Sequence, residues 1–527
     1  MFRSFHFEQA RNTQYDVCII GGGITGAGIF LKACQKGLKA IIIDKGDFSS
    51  GTSSRSAKMI HGGLRYLQYF QIKMVYEGLH ERENLLSLYP HLVKPQPYFM
   101  PVYGSWVNKL KFSVGLSGYD ALSGKSSMPK HISVPEEEIK KRFKQITHED
   151  LKGGFIYYDA RTNDARLTNE VIQQGVELGG TAINYLEAIF FEEEEGEIIS
   201  LTCKGRLKGW DLEIKAKQYV SATGVWTDEL LNKYKPQAKK WMKPSKGIHV
   251  VVKGDLLPKD CVLILPTIDG DGRFIWCLPW EENMNVLGTT DTEYNEGLNE
   301  IRSTKEEIDY LLDSVNKHLP GRKLTYDDIL STYAGLRPLL ADPDPEEEDN
   351  DSSSRSRDYE IWWNNDNFVT IAGGKLTSFL SMAETCLNEI IEKHPGKLNP
   401  HIFPKPLAPI TKSGHPLFAS IRDKYGDNVL LIMDIIKENK SYANPIFPKS
   451  NYIIAEIIFF IRYQHAVMLD DILTRRTLLS YSMKDWNEDL INIICDIFKE
   501  ELDWTEEDKV NQIKNYRKNW DLMHSWE

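Results

Sequence analysis

The stretch that decides the fold is Tyr15–Asp44, YDVCIIGGGITGAGIFLKACQKGLKAIIID. Tyr15–Ile20 is a short, β-branched run that predicts a buried strand, and Gly26–Gly37 carries small and apolar residues at helical spacing. Lys39–Ile43 predicts a second buried strand that ends at Asp44. Together these elements predict a right-handed βαβ unit of about thirty residues.

The turn Gly21-Gly22-Gly23-Ile24-Thr25-Gly26 satisfies the pattern GxGxxG in this setting. Gly21 permits a tight turn, Gly23 lets a pyrophosphate approach the backbone, and Gly26 lets the helix pack closely on the strand. Phosphates then face the helix N-terminus, and the carboxylate of Asp44 is placed to accept hydrogen bonds from ribose hydroxyls. The motif predicts a dinucleotide site, although a glycine turn alone occurs in many α/β sheets and does not separate NAD from FAD.

Two further glycine turns follow predicted strands much later in the chain. They are Ala222-Thr223-Gly224 and Gly373-Gly374-Lys375-Leu376-Thr377. A nucleotide site assembled from segments this far apart favours an extended, buried flavin over a nicotinamide cofactor that is released after each turnover.

Composition excludes several classes of protein. With 527 residues the chain is long enough for about three compact units. Its net charge of −11 disfavours nucleic acid as the main partner. The seven cysteines form no CxxC pair, so we expect neither a structural zinc, nor any other metal site, nor a disulfide framework. The N-terminus lacks the apolar core of a secretory signal, and no apolar run is long enough for a membrane-spanning helix.

Breaks in composition indicate where the units end. Residues 342–356 are acidic and serine-rich and predict a solvated loop, and the five prolines between Pro395 and Pro409 predict a linker. Residues 413–527 have a mostly helical pattern, in which Arg475-Arg476 reads as a short, solvated basic pair. Earlier in the chain, Leu167–Leu178 and Lys305–His318 predict helices, and Thr181–Phe191 predicts a strand.

The match to a known family becomes specific at Thr52-Ser53-Ser54 and Ile60-His61-Gly62-Gly63-Leu64-Arg65-Tyr66-Leu67. The sequence resembles the FAD-dependent glycerol-3-phosphate dehydrogenases, which belong to the flavoprotein superfamily that also contains the D-amino-acid oxidases. Other motifs agree in order, namely Asp159 with Asp164-Ala165-Arg166-Leu167, Ser245-Lys246-Gly247-Ile248-His249, Gly288-Thr289-Thr290-Asp291, Gly335-Leu336-Arg337-Pro338-Leu339, Arg357-Asp358-Tyr359 and Gly373-Gly374-Lys375-Leu376-Thr377. Two departures are Asp44, where the family leads us to expect Glu, and an enlarged acidic loop at 342–356.

The resemblance implies an α/β (α+β) fold with three parts. A Rossmann-like FAD-binding domain is expected from residues 14–95, 150–240 and 330–395. A mixed-sheet substrate-binding domain is expected from residues 96–149 and 241–329, and a C-terminal helical domain from residues 400–527.

The resemblance also implies which residues form the site. For a phosphate ester carrying a secondary alcohol it implies the substrate-binding residues Arg65, Tyr66, Arg337, Arg357 and Lys375. We expect catalytic roles for His61, His249, Arg337 and Lys375, with His61 as the proton acceptor and His249 orienting the substrate. The expected FAD-binding residues are Gly21, Gly23, Thr25, Gly26, Asp44, Thr52, Ser53, Ser54, Lys58, His61, Thr223, Gly224, Gly374, Lys375, Leu376 and Thr377.

The implied reaction is the oxidation of glycerol 3-phosphate, with hydride transfer to flavin N5 and electrons passed to a membrane quinone. The alternatives are an oxidase that reduces oxygen to hydrogen peroxide, a related flavin amine or hydroxy-acid oxidase, and a flavin-bearing scaffold without catalysis. The resemblance implies a cytoplasmic homodimer bound peripherally to the inner face of the cell membrane. Trp106–Leu116 combines aromatic and apolar residues with Lys109 and Lys111, as a segment lying on a membrane surface does.

Overall fold

The computed structural model describes residues 2–207, 209–236, 239–254, 259–270, 272–341, 358–396, 398 and 414–526. The acidic segment 342–356 and Arg357 therefore lie outside the described residues, as does most of the predicted proline-rich linker.

The strands and helices alternate in the first three quarters of the chain, and the last quarter is helical. The strands are β1 (Gln14–Ile20), β2 (Ala40–Ile43), β3 (Met59–Ile60), β4 (Lys94–Tyr103), β5 (Ile132–Val134), β6 (Leu151–Arg161), β7 (Thr181–Ile183), β8 (Leu186–Glu194), β9 (Glu197–Gly205), β10 (Leu212–Ser221), β11 (Ser245–Lys253), β12 (Val262–Pro266), β13 (Phe274–Trp280), β14 (Met284–Gly288), β15 (Thr292–Glu293), β16 (Ile329–Arg337), β17 (Tyr359–Trp363) and β18 (Phe368–Gly373). The α-helices are α1 (Phe2–Arg11), α2 (Ile24–Gln35), α3 (Ile72–Leu88), α4 (Trp106–Leu122), α5 (Glu136–Arg142), α6 (Asp164–Glu177), α7 (Thr227–Tyr234), α8 (Lys305–His318), α9 (Phe379–Lys393), α10 (Phe418–Tyr425), α11 (Val429–Glu438), α12 (Ile454–Tyr463), α13 (Leu479–Ser482), α14 (Glu488–Leu502) and α15 (Glu506–His524).

The predicted βαβ unit is confirmed as the start of the first sheet, whose main strands run in the order β17-β18-β10-β1-β2-β7. The strands from β18 to β7 are parallel to their neighbours, and β17 pairs antiparallel at the edge. In β1, Val17 and Ile19 pack into the core shared with α2, α6 and α9, whereas Cys18 and Ile20 pack into a core on the opposite face. This burial on both faces explains why the strand reads as a continuous apolar run.

The strand predicted over residues 181–191 divides into β7 and β8. Asn184 and Tyr185 separate the two strands, and Tyr185 has a φ of 54°. The amide of Asn184 donates to Asp47 Oδ1 at 3.0 Å and to the carbonyl of His465 at 2.8 Å, so it is used in tertiary contacts instead of a strand ladder. Periodicity alone does not reveal this break.

The second sheet has the order β15-β11-β14-β13-β12-β4-β6-β3, with β16 paired to β11 and β5 paired to β6. Helix α8 packs against it, and α8 has the predicted bounds, Lys305–His318. The sheet also contains β6 and β16, which fall inside ranges predicted for the FAD-binding domain. The chain therefore passes between the two sheets several times, and the domain boundaries remain a prediction.

The C-terminal helical domain is confirmed, with its own apolar core formed by helices α10 to α15. The prediction that Arg475 and Arg476 are solvated is wrong, because both side chains are almost fully buried against Asp47 of the first sheet. Among the described residues, no helix is both long and apolar enough to span a membrane. The seven cysteines are buried and unbridged.

Candidate active site

The glycine turn after β1 brings strand and helix into close contact. Gly21 has a φ of +115°, and a Cβ there would lie 2.4 Å from the carbonyl oxygen of Ala222. A Cβ on Gly26 would lie 1.9 Å from the carbonyl oxygen of Gly21. Gly23 is different, since a Cβ there would meet only Ser53 Oγ, at 3.2 Å. Gly23 therefore leaves room beside the start of α2, where a pyrophosphate fits.

Asp44, at the end of β2, is linked to the same turn. Its carboxylate accepts hydrogen bonds from the backbone N–H of Gly22 at 2.7 Å and of Gly46 at 2.8 Å. Burial raises the pKa of Asp44 to about 6, although both backbone hydrogen bonds oppose this shift. A carboxylate has further lone pairs, so Asp44 keeps the capacity to accept ribose hydroxyls. The turn, the helix end and this carboxylate together fit a dinucleotide.

Thr52, Ser53 and Ser54 form a short 3₁₀ turn beside the helix start. Ser53 Oγ accepts the backbone N–H of Ile24 at 2.9 Å, and Thr52 donates to the carbonyl of Leu336 at 2.7 Å. This turn therefore connects the start of α2 to strand β16 of the second sheet.

Lys58 lies beneath this segment, because Asp164 holds it there. Its ammonium group is 2.5 Å from Asp164 Oδ1 and also donates to the carbonyl of Ser54. Asp164 accepts the hydroxyl of Ser56 at 2.6 Å as well. Burial lowers the pKa of Lys58, and Asp164 opposes that shift. These contacts support the loop on which the predicted cofactor-binding residues lie.

The second and third glycine turns follow β10 and β18; β10 is the parallel neighbour of β1, and β18 is the parallel neighbour of β10. Gly224 has a φ of +56°, and Thr223 Oγ1 lies 3.4 Å from Thr227 Oγ1. Gly374 has a φ of +83°, and the 3₁₀ turn Leu376–Ser378 follows it. Three turns predicted to bind the cofactor thus lie at the carboxyl edge of one sheet, where ligands of such sheets bind.

His61 follows β3 and contacts the third turn. Its backbone N–H donates to Thr377 Oγ1 at 3.3 Å. The next residue, Gly62, donates its N–H to the hydroxyl of Tyr119 at 2.9 Å and to Asp159 Oδ1 at 3.3 Å. His61 and Thr377, which are 316 positions apart in the chain, therefore meet at this point.

A buried polar cluster of Asp159, Arg82 and Tyr119 supports the turn at Gly62. Arg82 Nη1 donates to Asp159 Oδ1 at 2.6 Å, and the hydroxyl of Tyr119 lies 2.9 Å from both carboxylate oxygens of Asp159. Sequence reasoning missed Arg82 and Tyr119, because each is an ordinary residue within a helical pattern. Their role in supporting the Gly62 turn becomes evident only from the buried Asp159 carboxylate, which both residues contact.

The predicted substrate-binding residues are partly brought together. Lys375 Nζ lies 4.1 Å from the centroid of the Tyr66 ring, which is cation–π contact. Arg65 is the neighbour of Tyr66 on the 3₁₀ turn Leu64–Tyr69. Arg357 lies outside the described residues.

Arg337 is the last residue of β16, and its guanidinium is held by the second sheet. Nη1 lies 3.1 Å from Asp291 Oδ1, and Nη2 donates to the carbonyl of Thr290 at 2.8 Å. Apolar neighbours at Leu336 and Leu339 predict that this charge needs a partner, either an anionic ligand or a carboxylate. In the structure this partner is the carboxylate of Asp291, and 22% of the Arg337 side chain stays exposed.

His249 lies on β11 and is only 4% exposed. Its ring stacks on Tyr333 with centroids 4.6 Å apart, and neither ring nitrogen has a hydrogen-bond partner within the described part of the chain. Burial lowers the pKa of His249 well below its ordinary value, and the charges of Arg337 and Lys58 lower it further. His249 is therefore a neutral imidazole, which suits a residue that orients a hydroxyl better than one that holds a proton.

Known proteins share this sequence and fold. Residues 16–378 match the family described as FAD dependent oxidoreductase, and residues 412–509 match the C-terminal domain of alpha-glycerophosphate oxidase. The aerobic glycerol-3-phosphate dehydrogenase of Bacillus subtilis is 34% identical, and the alignment covers 97% of this chain and 95% of that protein. A probable mitochondrial glycerol-3-phosphate dehydrogenase of Caenorhabditis elegans is 31% identical over 96% of this chain and 73% of its own length.

Solved structures agree. The glycerol-3-phosphate dehydrogenase of Bacillus halodurans, complexed with FAD, superposes with a TM-score of 0.77 at 26% identity, covering 100% of this chain and 99% of that one. The L-alpha-glycerophosphate oxidase of Mycoplasma pneumoniae has a TM-score of 0.55 at 17% identity over 72% of this chain, which shows a shared fold. The prediction of FAD as the cofactor is confirmed. This oxidoreductase therefore belongs to the family of FAD-dependent glycerol-3-phosphate dehydrogenases.

Proposed function

We propose that this enzyme oxidises sn-glycerol 3-phosphate to dihydroxyacetone phosphate and passes the electrons to a membrane quinone. The observation that carries the proposal is the meeting of Lys375, Tyr66 and His61 at the carboxyl edge of the first sheet. Lys375 lies 4.1 Å from the Tyr66 ring, and the backbone of His61 contacts Thr377, two residues after Lys375. The Lys375 ammonium therefore lies against the ring of Tyr66, and the backbone of His61 lies at the same glycine turn.

The phosphate of the substrate needs several fixed cations, because it carries two negative charges at neutral pH. In our proposal Lys375, which contacts the ring of Tyr66, and Arg65, the chain neighbour of Tyr66, supply two of them, and Arg337 supplies a third. Asp291 and Thr290 hold the Arg337 guanidinium in one orientation, so little conformational freedom remains to be lost on binding. The resemblance adds Arg357 to this set.

In our proposal Gly21, Gly23, Thr25 and Gly26 hold the cofactor pyrophosphate, and Asp44 holds a ribose. The other contacts come from Thr52, Ser53, Ser54, Lys58, His61, Thr223, Gly224, Gly374, Lys375, Leu376 and Thr377. Bound FAD supplies flavin N5 as the acceptor for the hydride that leaves the secondary carbon.

The protein's own residues handle the proton and the orientation of the alcohol. We assign His61 as the base that accepts the hydroxyl proton of the substrate. His249, neutral and without a protein hydrogen-bond partner among the described residues, orients the same hydroxyl. Lys375 also stabilises negative charge at the flavin, since it begins the turn that follows Gly374.

A surface beside the site supports membrane quinone as the electron acceptor. On helix α4 the side chains of Trp106, Leu110 and Val114 are 68%, 65% and 66% exposed, and they repeat every four residues along one face. Lys109 and Lys111 on the same helix suit anionic lipid headgroups. Tyr119, near the other end of α4, donates and accepts hydrogen bonds at the turn of Gly62, so the helix that carries these exposed residues also packs against the turn next to His61.

The test of the reaction is anaerobic mixing of the FAD-loaded protein with glycerol 3-phosphate while flavin absorbance is followed. We expect bleaching with glycerol 3-phosphate and none with amino acids; the reverse pattern would favour a flavin amine oxidase. Adding a short-chain quinone or oxygen then identifies the acceptor. Rapid formation of hydrogen peroxide with no quinone reduction would replace the dehydrogenase assignment with an oxidase.

Membrane attachment and subunit number are tested separately. We expect the protein to co-sediment with vesicles of mixed neutral and anionic phospholipid. A variant with Trp106, Leu110 and Val114 changed to Ser should stay in the supernatant while keeping its FAD. Analytical ultracentrifugation tests the homodimer that the resemblance implies.

Arg337→Ala tests the phosphate assignment. We expect kcat/KM for glycerol 3-phosphate to fall by about 100-fold or more, as for the loss of a charge-assisted phosphate contact, with FAD still bound. Asp291→Asn is the matched control, because it removes the negative charge paired with Arg337 and leaves the cation in place. A near-normal substrate affinity in Arg337→Ala would show that the phosphate binds elsewhere.

A further inference from the structure

The loop after β2, residues 44–49, is attached to the glycine turn at three points. The Asp44 carboxylate accepts the N–H of Gly22 at 2.7 Å, and Ser49 donates its N–H to the carbonyl of Gly22 at 2.9 Å. The Phe48 ring packs on Gly22 so closely that a Cβ there would lie 2.3 Å from Phe48 Cδ1. The position of this loop therefore fixes the position of the turn.

The other side of the loop is held by the C-terminal domain. Asp47, only 1% exposed, accepts Arg475 Nε at 2.6 Å and a two-pronged contact from Arg476, at 2.6 and 2.8 Å. Asn184 adds a hydrogen bond of 3.0 Å to the same carboxylate. The Phe48 ring also meets the ring of His465 edge-on, with centroids 5.4 Å apart.

The arginines reach one carboxylate because of their local conformation. Asp471–Arg476 is a π-helix, whose wider turn directs two consecutive side chains towards Asp47. Arg475 also contacts Asp470 and lies 2.7 Å from Asp471, and Tyr185 donates to Asp471 at 2.6 Å. Arg476 donates to the carbonyl of Gln464 at 2.7 Å.

This cluster is satisfied only when the C-terminal domain is docked. Burial alone would raise the pKa of Asp47, but Arg476 and Arg475 outweigh it and hold the pKa below its ordinary value. A buried charge that loses its partner is strongly unfavourable, so undocking or mutation must displace Asp47 and the loop that carries it.

We propose that the C-terminal helical domain retains FAD, with Arg475 and Arg476 acting through Asp47 on the loop 44–49 and thereby on the glycine turn at Gly22. Both arginines are positioning residues, since neither contacts the turn itself. This function is separate from the proposed oxidation of glycerol 3-phosphate, because it concerns the affinity for FAD and not turnover.

The first test is the rate of FAD release from the full-length holoprotein, measured by flavin fluorescence well below the unfolding temperature. We expect Arg476→Met to release FAD about tenfold faster, within the usual range for coupling between two sites. The control is Arg462→Met, which breaks ion pairs with Glu438 and Glu501 inside the same domain, neither of which belongs to the loop 44–49. A purely structural role for Arg476 would lower the unfolding temperature and leave the release rate at the control value, which would overturn the proposal.

The second test needs no mutation, and it decides the matter if Arg476→Met does not fold. Coupling is reciprocal, so removing FAD from the wild-type protein must loosen the contacts of the C-terminal domain. We expect amide hydrogen exchange across residues 464–477 to become about tenfold faster in the apoprotein, with little change in α14 (Glu488–Leu502). Equal exchange in both forms would overturn the proposal.

Discussion

The polar cluster of Asp159, Arg82 and Tyr119 at the Gly62 turn predicts that two substitutions around one carboxylate lower the folding free energy by different amounts. Asp159 is buried and contacts Arg82 at 2.6 Å, Tyr119 at 2.9 Å and the Gly62 N–H at 3.3 Å. We compare Tyr119→Phe, which removes one hydroxyl and keeps the ring, with Arg82→Met, which removes the only cation paired with Asp159 among the described residues.

Tyr119→Phe leaves neither the Asp159 carboxylate nor the Gly62 N–H without a hydrogen-bond partner. Asp159 keeps its charge-assisted contact with Arg82, and the Gly62 N–H keeps Asp159 as an acceptor. The expected loss of folding free energy is about 1 kcal/mol, the net value of one ordinary hydrogen bond. Arg82→Met leaves a fully buried carboxylate unpaired, and we expect a loss of about 3–5 kcal/mol.

The assay is urea unfolding of wild type and both variants, followed by intrinsic fluorescence under identical conditions. Tyr98→Phe is the control, because its buried hydroxyl donates only one long hydrogen bond, 3.3 Å to the carbonyl of Ala160. Steady-state turnover is measured in parallel, because a looser Gly62 turn displaces His61. We expect kcat to fall by about tenfold in Tyr119→Phe with FAD affinity unchanged.

Two results would refute this reasoning. If Tyr119→Phe were as destabilising as Arg82→Met, the cost could not come from an unpaired buried charge. If Arg82→Met were as mild as Tyr98→Phe, the Arg82–Asp159 pair would contribute little to stability.

Three further predictions concern the cofactor and the base. Gly23→Val should fold but lose FAD, because a side chain there meets only Ser53 Oγ in the protein. Gly26→Ala should instead destabilise the apoprotein, because its Cβ would clash with the Gly21 carbonyl. Thermal unfolding and flavin absorbance distinguish the two effects, and a Gly23→Val variant that stays yellow would contradict the pyrophosphate assignment. His61→Asn should lower kcat by about 100-fold or more while FAD stays bound, as expected for the loss of a general base. If His61→Asn lowered kcat less than His249→Asn does, the roles assigned to the two histidines would have to be exchanged. Burial raises the pKa of Asp44 to about 6, so the carboxylate is ionised above that pH and protonated below it; because an ionised carboxylate accepts ribose hydroxyls more strongly, FAD affinity should fall about fivefold from pH 7 to pH 5, and titrations of Asp44→Asn should show no such change.

Local sequence was sufficient to predict the nucleotide-binding turn. Tyr15–Ile20 and Gly21–Gly26 specify their strand and turn through residues that are neighbours in the chain, and the structure confirms the βαβ unit. Lys305–His318 was predicted to the residue, since Thr304 and Glu307 form a capping box that fixes its start.

Contacts between distant residues could not be predicted in the same way. In the sequence, Arg475 and Arg476 resemble an ordinary exposed basic pair. Their common partner, Asp47, lies 428 and 429 positions away and is found only in the structure. Likewise, nothing near Arg337 in sequence indicates that Asp291 holds it. The roles of His61, His249 and the substrate-binding cations remain predictions for the same reason, because they depend on where ligands lie.

Strand β16 (Ile329–Arg337) carries both Arg337 and Tyr333, which stacks on His249. The outer side of this strand is not exposed to solvent. Ser331 Oγ donates to the carbonyl of Tyr481 and Thr332 Oγ1 to that of Met523, so α13 and α15 cover the strand from behind. A truncated enzyme ending near residue 395 would leave this strand uncovered and prone to aggregate. Attempts to engineer a minimal catalytic fragment should therefore keep all of the last hundred residues or replace them with another cap.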